Sequence, residues 1–137
     1  MVAYSFKERF IKPIQVGLSS VQLSFDPPPK LQTIRARGKR RHARPGEVLQ
    51  LYYGMRTKHC RSIGVAKCTE VNDITIWVGE NSLGIKIADD YFCGSALVKE
   101  FANLDGFSSE QDMVEFWKKE HGLGRFEGVL IRWDPIR

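Results

Sequence analysis

The 137-residue sequence has few cysteines and no long hydrophobic run. Its three cysteines (Cys60, Cys68 and Cys93) form no C-x-x-C pair, so we expect no disulfide framework and a reducing, cytoplasmic setting. No stretch approaches the roughly 18–20 apolar residues of a membrane span, and no apolar run follows the charged residues 7–9. The sequence therefore predicts neither a membrane protein nor a secretory signal.

Several common catalytic and cofactor motifs are also missing. The sequence contains no G-x-x-x-x-G-K-[ST], G-x-G-x-x-G, H-E-x-x-H or G-x-S-x-G. These absences argue against P-loop and Rossmann nucleotide sites, zincin chemistry and the usual serine-hydrolase fold. The spacing of His59, Cys60 and Cys68 matches no common zinc pattern, so buried thiols are the preferred interpretation. We predict no cofactor and no bound metal.

Positive charge is abundant but unevenly distributed. The formal net charge is +5, yet residues 30–67 carry eleven Lys and Arg against one acid, Glu47. The remaining segments are close to neutral or acidic. A basic block inside a chain of modest overall charge indicates a binding site for a polyanion.

Apolar periodicity predicts one α+β domain spanning residues 1–137. Strands are predicted over residues 32–37, 47–53, 60–71, 73–79, 82–88 and 126–133, with a break at Asn72–Asp73. Helices are predicted over residues 7–17, 94–101 and 108–121, the last with Ser108 as N-cap. The three tryptophans are interpreted as core or barrel wall. Five to seven short strands with two or three short helices favour a small, curved β-barrel.

The basic block predicts a nucleic-acid surface. Phosphates attract such a cluster whatever the base sequence, and aromatic side chains can stack on unpaired bases. Tyr52 and Tyr53 are strand neighbours and face opposite ways, so at least one of them belongs to the interior. A solvated loop is the alternative interpretation. The predicted nucleic-acid-binding residues are Arg35, Arg37, Lys39, Arg40, Arg41, His42, Arg44, Tyr53, Arg56, Lys58 and Arg61.

Three segments, in the same order along the chain, resemble those of a known family. They are residues 10–17 (FIKPIQVG), 30–35 (KLQTIR) and 44–51 (RPGEVLQL). Together they resemble the ASCH (activating signal cointegrator homology) family, a branch of the PUA-like barrels, whose members read P-I-x-x-G-x-K-x-x-T-I-R, then a basic loop, then P-G-[DE]. The segment 105–110 before a helix and the closing strand are also similar. The departure is an insert, residues 18–29, between Gly17 and Lys30, where family members have almost none.

The resemblance implies a PUA-like barrel with a cleft that handles RNA or nucleosides. Some members are amidohydrolases that deacetylate N4-acetylcytidine, and others are described as ribonucleases. In the amidohydrolase pattern a Lys-x-x-Thr pair supplies base and nucleophile and a later carboxylate completes the set. Carried over, these are the catalytic candidates Lys30, Thr33 and Asp105. Those members have Glu where this chain has Asp105.

Three functions remain open from the sequence. The leading hypothesis is a domain that binds RNA or another nucleic acid through residues 30–61. The second is an enzyme, either a hydrolase of an N-acylated nucleoside that uses Thr33 and Lys30, or a ribonuclease, for which His42 is an acid/base candidate. The third is a protein-interaction adaptor that uses Pro27–Pro29 of the insert. A modified nucleoside is therefore an alternative partner to nucleic acid.

Overall fold

A computed structural model describes residues 2–19, 27–92 and 95–136 of the chain. Three α-helices are described: α1 (Ile11–Leu18), α2 (Ser95–Leu104) and α3 (Glu110–His121). A short 3-10 turn, Glu8–Phe10, precedes α1. The seven strands are β1 (Val2–Phe6), β2 (Gln32–Arg35), β3 (Val48–Tyr53), β4 (Arg61–Val78), β5 (Leu83–Ile87), β6 (Asp90–Phe92) and β7 (Gly124–Pro135). The predicted α+β class is confirmed.

The 18-residue strand β4 organises one mixed sheet. One edge of β4 pairs antiparallel with β7 over residues 66–78. Its other edge pairs with β3 through residues 61–67 and with β5 through residues 74–78. Beyond these, β1 runs parallel to β3, β6 pairs with β5, and β2 pairs with β7. One long strand therefore serves three ladders and connects the whole sheet.

The sheet is not closed, so the predicted PUA-like barrel is not confirmed. Within the described residues, β1 and β2 form edges that share no ladder. A side chain bridges the gap between them: Arg35 of β2 donates from its NH2 group to the carbonyl oxygen of Ser5 in β1, at 2.7 Å. This open seam between β1 and β2 is where the candidate site lies.

The core follows the periodicity of the strands and helices. In β5 the alternating Leu83, Ile85 and Ile87 are buried, as expected for a strand with one face on the core. In α3 the buried residues are Met113, Val114 and Trp117, which share one helical face. In contrast, successive residues of β7 are buried over residues 128–131, because β7 is an interior strand with both faces covered.

The structure differs from the predicted secondary structure at several places. The sequence pattern predicts no strand at β1, because Val2–Phe6 is apolar except for Ser5 and does not alternate. β4 continues without a break through Asn72–Asp73, because β7 supplies it with a continuous ladder there. A short additional strand, β6, follows β5. The N-cap of α3 is Ser109, whose hydroxyl accepts from the backbone N–H of Asp112 at 3.0 Å, while Ser108 instead donates to the Asp112 carboxylate.

The remaining sequence predictions concern the insert, the cysteines and membrane spans. The alternation of Val21, Leu23 and Phe25 in the insert predicts an edge strand, but these positions lie outside the described residues, as does Cys93. Cys68 is buried in β4 as predicted, whereas Cys60 is exposed in the β3–β4 loop. No helix in the described part of the chain has the length and apolarity needed to cross a membrane.

Candidate functional site

The three predicted catalytic residues line one cleft at the open seam. The cleft has a volume of about 260 Å³ and includes Lys30, Thr33 and Asp105. All three side chains belong to buried residues, which are 3%, 4% and 5% exposed respectively. Polar groups are this deeply buried only when they are paired, so their partners determine what the cleft can do.

Backbone hydrogen bonds hold Lys30 in place despite the insert. The N–H of Lys30 donates to the carbonyl of Pro13 in α1, and the next N–H, of Leu31, donates to the carbonyl of Leu104 at the end of α2, both at 2.9 Å. Gly17 permits this approach, because a Cβ there would lie only 2.6 Å from the Lys30 carbonyl oxygen. The insert therefore does not displace Lys30 from the cleft.

Lys30 and Asp105 form a buried ion pair. The Lys30 Nζ donates to the backbone oxygen of Asp105 at 2.6 Å and lies 3.4 Å from its Oδ1. The amide nitrogen of Gln32, a fully buried side chain, lies 3.5 Å from the same Oδ1. Burial lowers the pKa of Lys30 to about 8, although Asp105 acts in the opposite direction. Burial likewise raises the pKa of Asp105.

Thr33 and Arg35 project from the same face of β2, since they are two residues apart. The Arg35 Nε donates to the Thr33 Oγ1 at 3.0 Å. The guanidinium also lies over the rings of Phe6 and Tyr4, with centroid distances of 4.8 and 5.2 Å. Arg35 is thus a fixed donor in the cleft, unlike the mobile lysine of an ordinary surface.

An aromatic wall forms the opposite side of the cleft. Trp117 and His121 are one helical turn apart on α3, with ring centroids 4.4 Å apart, and Phe126 of β7 lies 4.9 Å from Trp117. The indole Nε1 of Trp117 is buried and has no hydrogen-bond partner within the described residues. The cleft therefore combines cationic donors, a carboxylate and planar apolar surfaces, which suits a small planar polar group.

The basic residues of the loop after β2 form open grooves next to this cleft. Arg35 and Ala36 line the cleft and also a groove of about 490 Å³ beside β1, here called the β1 groove, together with Arg40, Arg41 and His42. The same three loop residues line a second groove of about 540 Å³ beside Asp73 of β4, here called the β4 groove.

Partners within the protein fix some of the predicted binding residues. Arg41 makes a bidentate ion pair with Glu47, and this hydrogen bonding lowers the pKa of Glu47 to about 2. Arg37 pairs with Asp73. The His42 ring stacks on Tyr4 and shares a hydrogen bond with the Tyr4 hydroxyl at 3.1 Å. Lys39, Arg40 and Arg44 are exposed, as are the paired Arg37 and Arg41.

The second predicted basic segment lies apart from these cavities. Arg56 and Lys58 are exposed in the β3–β4 loop, and Arg61 lies over the half-buried Tyr53 ring at 5.6 Å. The loop is attached to β1, because the N–H of Met55 donates to the Ser5 hydroxyl at 3.1 Å. None of Tyr53, Arg56, Lys58 or Arg61 lines the cleft or either groove.

Sequence reasoning missed two parts of the site. Gln32 carried no signal, because a glutamine in a strand is usually exposed and only the fold buries this one. The pair Trp117 and His121 did carry a signal, the four-residue spacing of one helical face. No protein-family model, no curated protein and no solved structure matches this chain. Among the described residues, no cluster of His, Cys, Asp and Glu is suited to a metal ion.

Proposed function

We propose that this chain is an ASCH domain of the PUA-like type that binds single-stranded RNA or another nucleic acid. The loop after β2 holds the phosphates and the cleft receives one unstacked base. The resemblance of residues 10–17, 30–35 and 44–51 to the family supports this assignment. Two of those segments supply Lys30, Thr33 and Arg35, which line the cleft, and Gly17, which lies against the Lys30 carbonyl.

The adjacency of the cleft and the β1 groove carries the proposal. Arg35 and Ala36 line both cavities, so a chain lying in the groove passes directly beside the cleft at these two residues. The groove supplies Arg40 and Arg41, which attract phosphates, while the cleft supplies the aromatic wall and the guanidinium of Arg35. Protein domains recognise unpaired bases by such a combination of stacking and edge donors.

The size of the cleft fits one base rather than a large ligand. Its volume of about 260 Å³ is below the roughly 300–1,000 Å³ of pockets that take drug-sized molecules.

Charge reversal of the loop tests this function. In a fluorescence-anisotropy assay with a labelled oligouridylate, Arg40→Glu with Arg41→Glu is expected to weaken binding at least about a hundredfold, since both phosphate contacts become repulsive. Lys99→Glu with Lys119→Glu is the matched control, because both lysines are exposed on helices away from the cavities. Equal affinities for wild type and the loop variant contradict the proposal.

A second loop variant protects this test from a folding artefact. Arg41 is paired with Glu47, so a glutamate there also disturbs the loop. Lys39→Glu with Arg40→Glu leaves that pair intact, and both substituted residues are exposed. We expect this variant to lose binding as well, with an unchanged urea unfolding midpoint.

Hydrolysis of an N-acylated nucleoside is a second candidate, favoured by the pKa of Lys30. An amine with a pKa of about 8 is partly neutral near neutral pH and can accept the Thr33 hydroxyl proton. The Thr33 oxygen would then bond to the acyl carbon, the nucleoside amine would leave with a proton, and water would release the acid from the ester. In the described structure Lys30 contacts Asp105 and makes no hydrogen bond to Thr33, so the lysine must rotate first.

Turnover of N4-acetylcytidine tests the second candidate. Formation of cytidine by the wild type, followed by chromatography, and its loss in Thr33→Ala would support the enzyme. Thr69→Ala is a control of the same chemistry on the exposed side of β4. No turnover by the wild type, or equal turnover by Thr33→Ala, eliminates this function and leaves nucleic-acid binding in place.

A further inference from the structure

An exposed aromatic pair lies on the side of β4, β5 and β6 that faces away from the buried Ile76 and Ile85. Trp77 of β4 and Tyr91 of β6 are 37% and 63% exposed, while the other two tryptophans of the chain are buried. The Trp77 and Tyr91 rings are nearly parallel, at 18°, with centroids 6.1 Å apart. Trp77 was interpreted from the sequence as core or barrel wall, and that interpretation is wrong.

Strand register explains why the two rings meet. Trp77 pairs with Gly84 in β5, and Lys86, two residues on, pairs with Tyr91 in β6, so all four positions share one face. Gly84 leaves the space above it open, and the Trp77 ring lies there, 3.4 Å from where a glycine Cβ would be. The Lys86 Nζ lies 5.3 Å from the Tyr91 centroid. The register of β4, β5 and β6 therefore fixes the position of the aromatic pair.

The charges on this face favour an anionic partner. Its two acids are each held by an arginine: Glu127 by Arg125 at 2.6 Å, and Asp73 by Arg37. Lys86 is the cation left over on this face among the described residues. The neighbouring Asp90 pairs with Ile87, so its side chain belongs to the opposite face from Tyr91.

The face is also continuous with the basic loop. Asp73, Thr75 and Trp77 alternate outward along β4, so the Arg37–Asp73 pair and the aromatic pair lie on the same face, about 13 Å apart along the strand. Lys86 pairs with Thr75 between them. The β4 groove begins at Asp73 and is lined by Arg37, Arg40 and Arg41. A nucleic-acid strand that crosses the loop can thus contact Lys86 and then the rings of Trp77 and Tyr91.

We propose that Trp77 and Tyr91 form a second stacking site for single-stranded nucleic acid, reached from the loop through the β4 groove and Lys86. Base–aromatic stacking tolerates any sequence, because every base has a flat face. This inference rests on the proposed function for the loop, but neither Trp77 nor Tyr91 lines the cleft, so the aromatic pair and the cleft are separate sites and are tested separately.

The test uses a labelled oligouridylate of about twelve nucleotides, within the usual range of site sizes. We expect Tyr91→Ala and Trp77→Ala each to weaken binding about tenfold, as expected for loss of a stacked base. Tyr91→Phe keeps the ring and should retain wild-type affinity. Leu97→Ala is the control, since Leu97 is a similarly exposed apolar residue on α2.

Two further measurements distinguish stacking from other causes. Binding should quench tryptophan fluorescence less in Trp77→Phe than in the wild type, because a base in the cleft can then act only on Trp117. An abasic strand of the same length has phosphates and no bases, so it should bind Tyr91→Ala and wild type equally.

The outcomes separate the two proposals. If Tyr91→Ala and Trp77→Ala both bind like wild type, while Arg40→Glu with Arg41→Glu does not bind, the stacking site is wrong and the proposed function stands. If the loop variant binds like wild type, the path from the loop fails and both proposals fall. If the aromatic variants change only the sedimentation coefficient of the free protein, the face is a contact between two copies and the inference is overturned.

Discussion

The cleft and the basic loop use positive charge in different ways. Lys30 and Arg35 in the cleft are held by Asp105, Thr33 and the Ser5 carbonyl, and burial lowers the pKa of both cations. Lys39 and Arg40 in the loop are exposed to solvent. Buried charge acts through geometry and pKa, whereas exposed charge acts at a distance and is screened by salt. Similar residues a few positions apart therefore have different properties.

Breaking the buried pair should have the largest effect on stability. Asp105→Ala leaves the Lys30 ammonium buried without its carboxylate, and removal of one partner of a buried pair costs about 3–5 kcal/mol. Urea unfolding measures the loss. Lys30→Met with Asp105→Asn should be clearly more stable than Asp105→Ala, because no charge is left unpaired. An equal loss in both variants would show that the pair adds nothing beyond packing.

The pH dependence of stability should come next in size. The pKa of Lys30 is about 8 in the folded protein and near 10.5 in the unfolded chain. Between these values the unfolded chain binds the additional proton, so the free energy of unfolding rises with pH by at most about 3 kcal/mol. Tyr4 and Cys68, whose pKa values burial raises, act in the opposite direction in every variant.

The informative quantity is therefore the difference in free energy of unfolding between the wild type and a variant that lacks the Lys30–Asp105 pair. Wild type and Lys30→Met with Asp105→Asn are unfolded in urea from pH 7.5 to 10.5, and the wild type should gain stability relative to the variant across that window. A constant difference over the window contradicts the lowered pKa of Lys30. Arg35 and Arg9 are the other charges that act on Lys30 and are present in both proteins.

Salt dependence is the smallest expected effect and the sharpest comparison of the two regions. Each phosphate contact contributes about −0.7 to the slope of log affinity against log salt for a single strand. Arg40→Gln should reduce the magnitude of the slope by about that amount. Thr33→Val in the cleft should lower affinity without changing the slope, because Thr33 is neutral and buried. Equal slopes for the wild type and Arg40→Gln would place the phosphates elsewhere.

The local pattern of the chain was sufficient for much of the secondary structure. The alternation in Leu83–Ile87 and the apolar face of Glu110–His121 predicted β5 and α3, because their burial repeats at the period of a strand or helix. The break predicted at Asn72–Asp73 failed for a physical reason: turn propensity is a local preference, and a continuous ladder with β7 outweighs it.

The sequence alone also identified several of the residues that line the candidate site. The resemblance singled out Lys30, Thr33 and Asp105, and the basic block marked the loop, because these residue types are visible one at a time. It did not reveal Gln32 beside Asp105, since a hydrogen bond between residues 73 positions apart has no local signature.

Only the tertiary structure decided how these parts are combined. Whether the sheet closes depends on the positions of β1 and β2, which are far apart in sequence and meet through Arg35 rather than a ladder. The exposure of Trp77 depends on Gly84 and Tyr91 in neighbouring strands, so composition could only suggest a core residue. Residue types and periods are properties of the chain, but burial, pKa and the joining of cavities arise from contacts between distant segments.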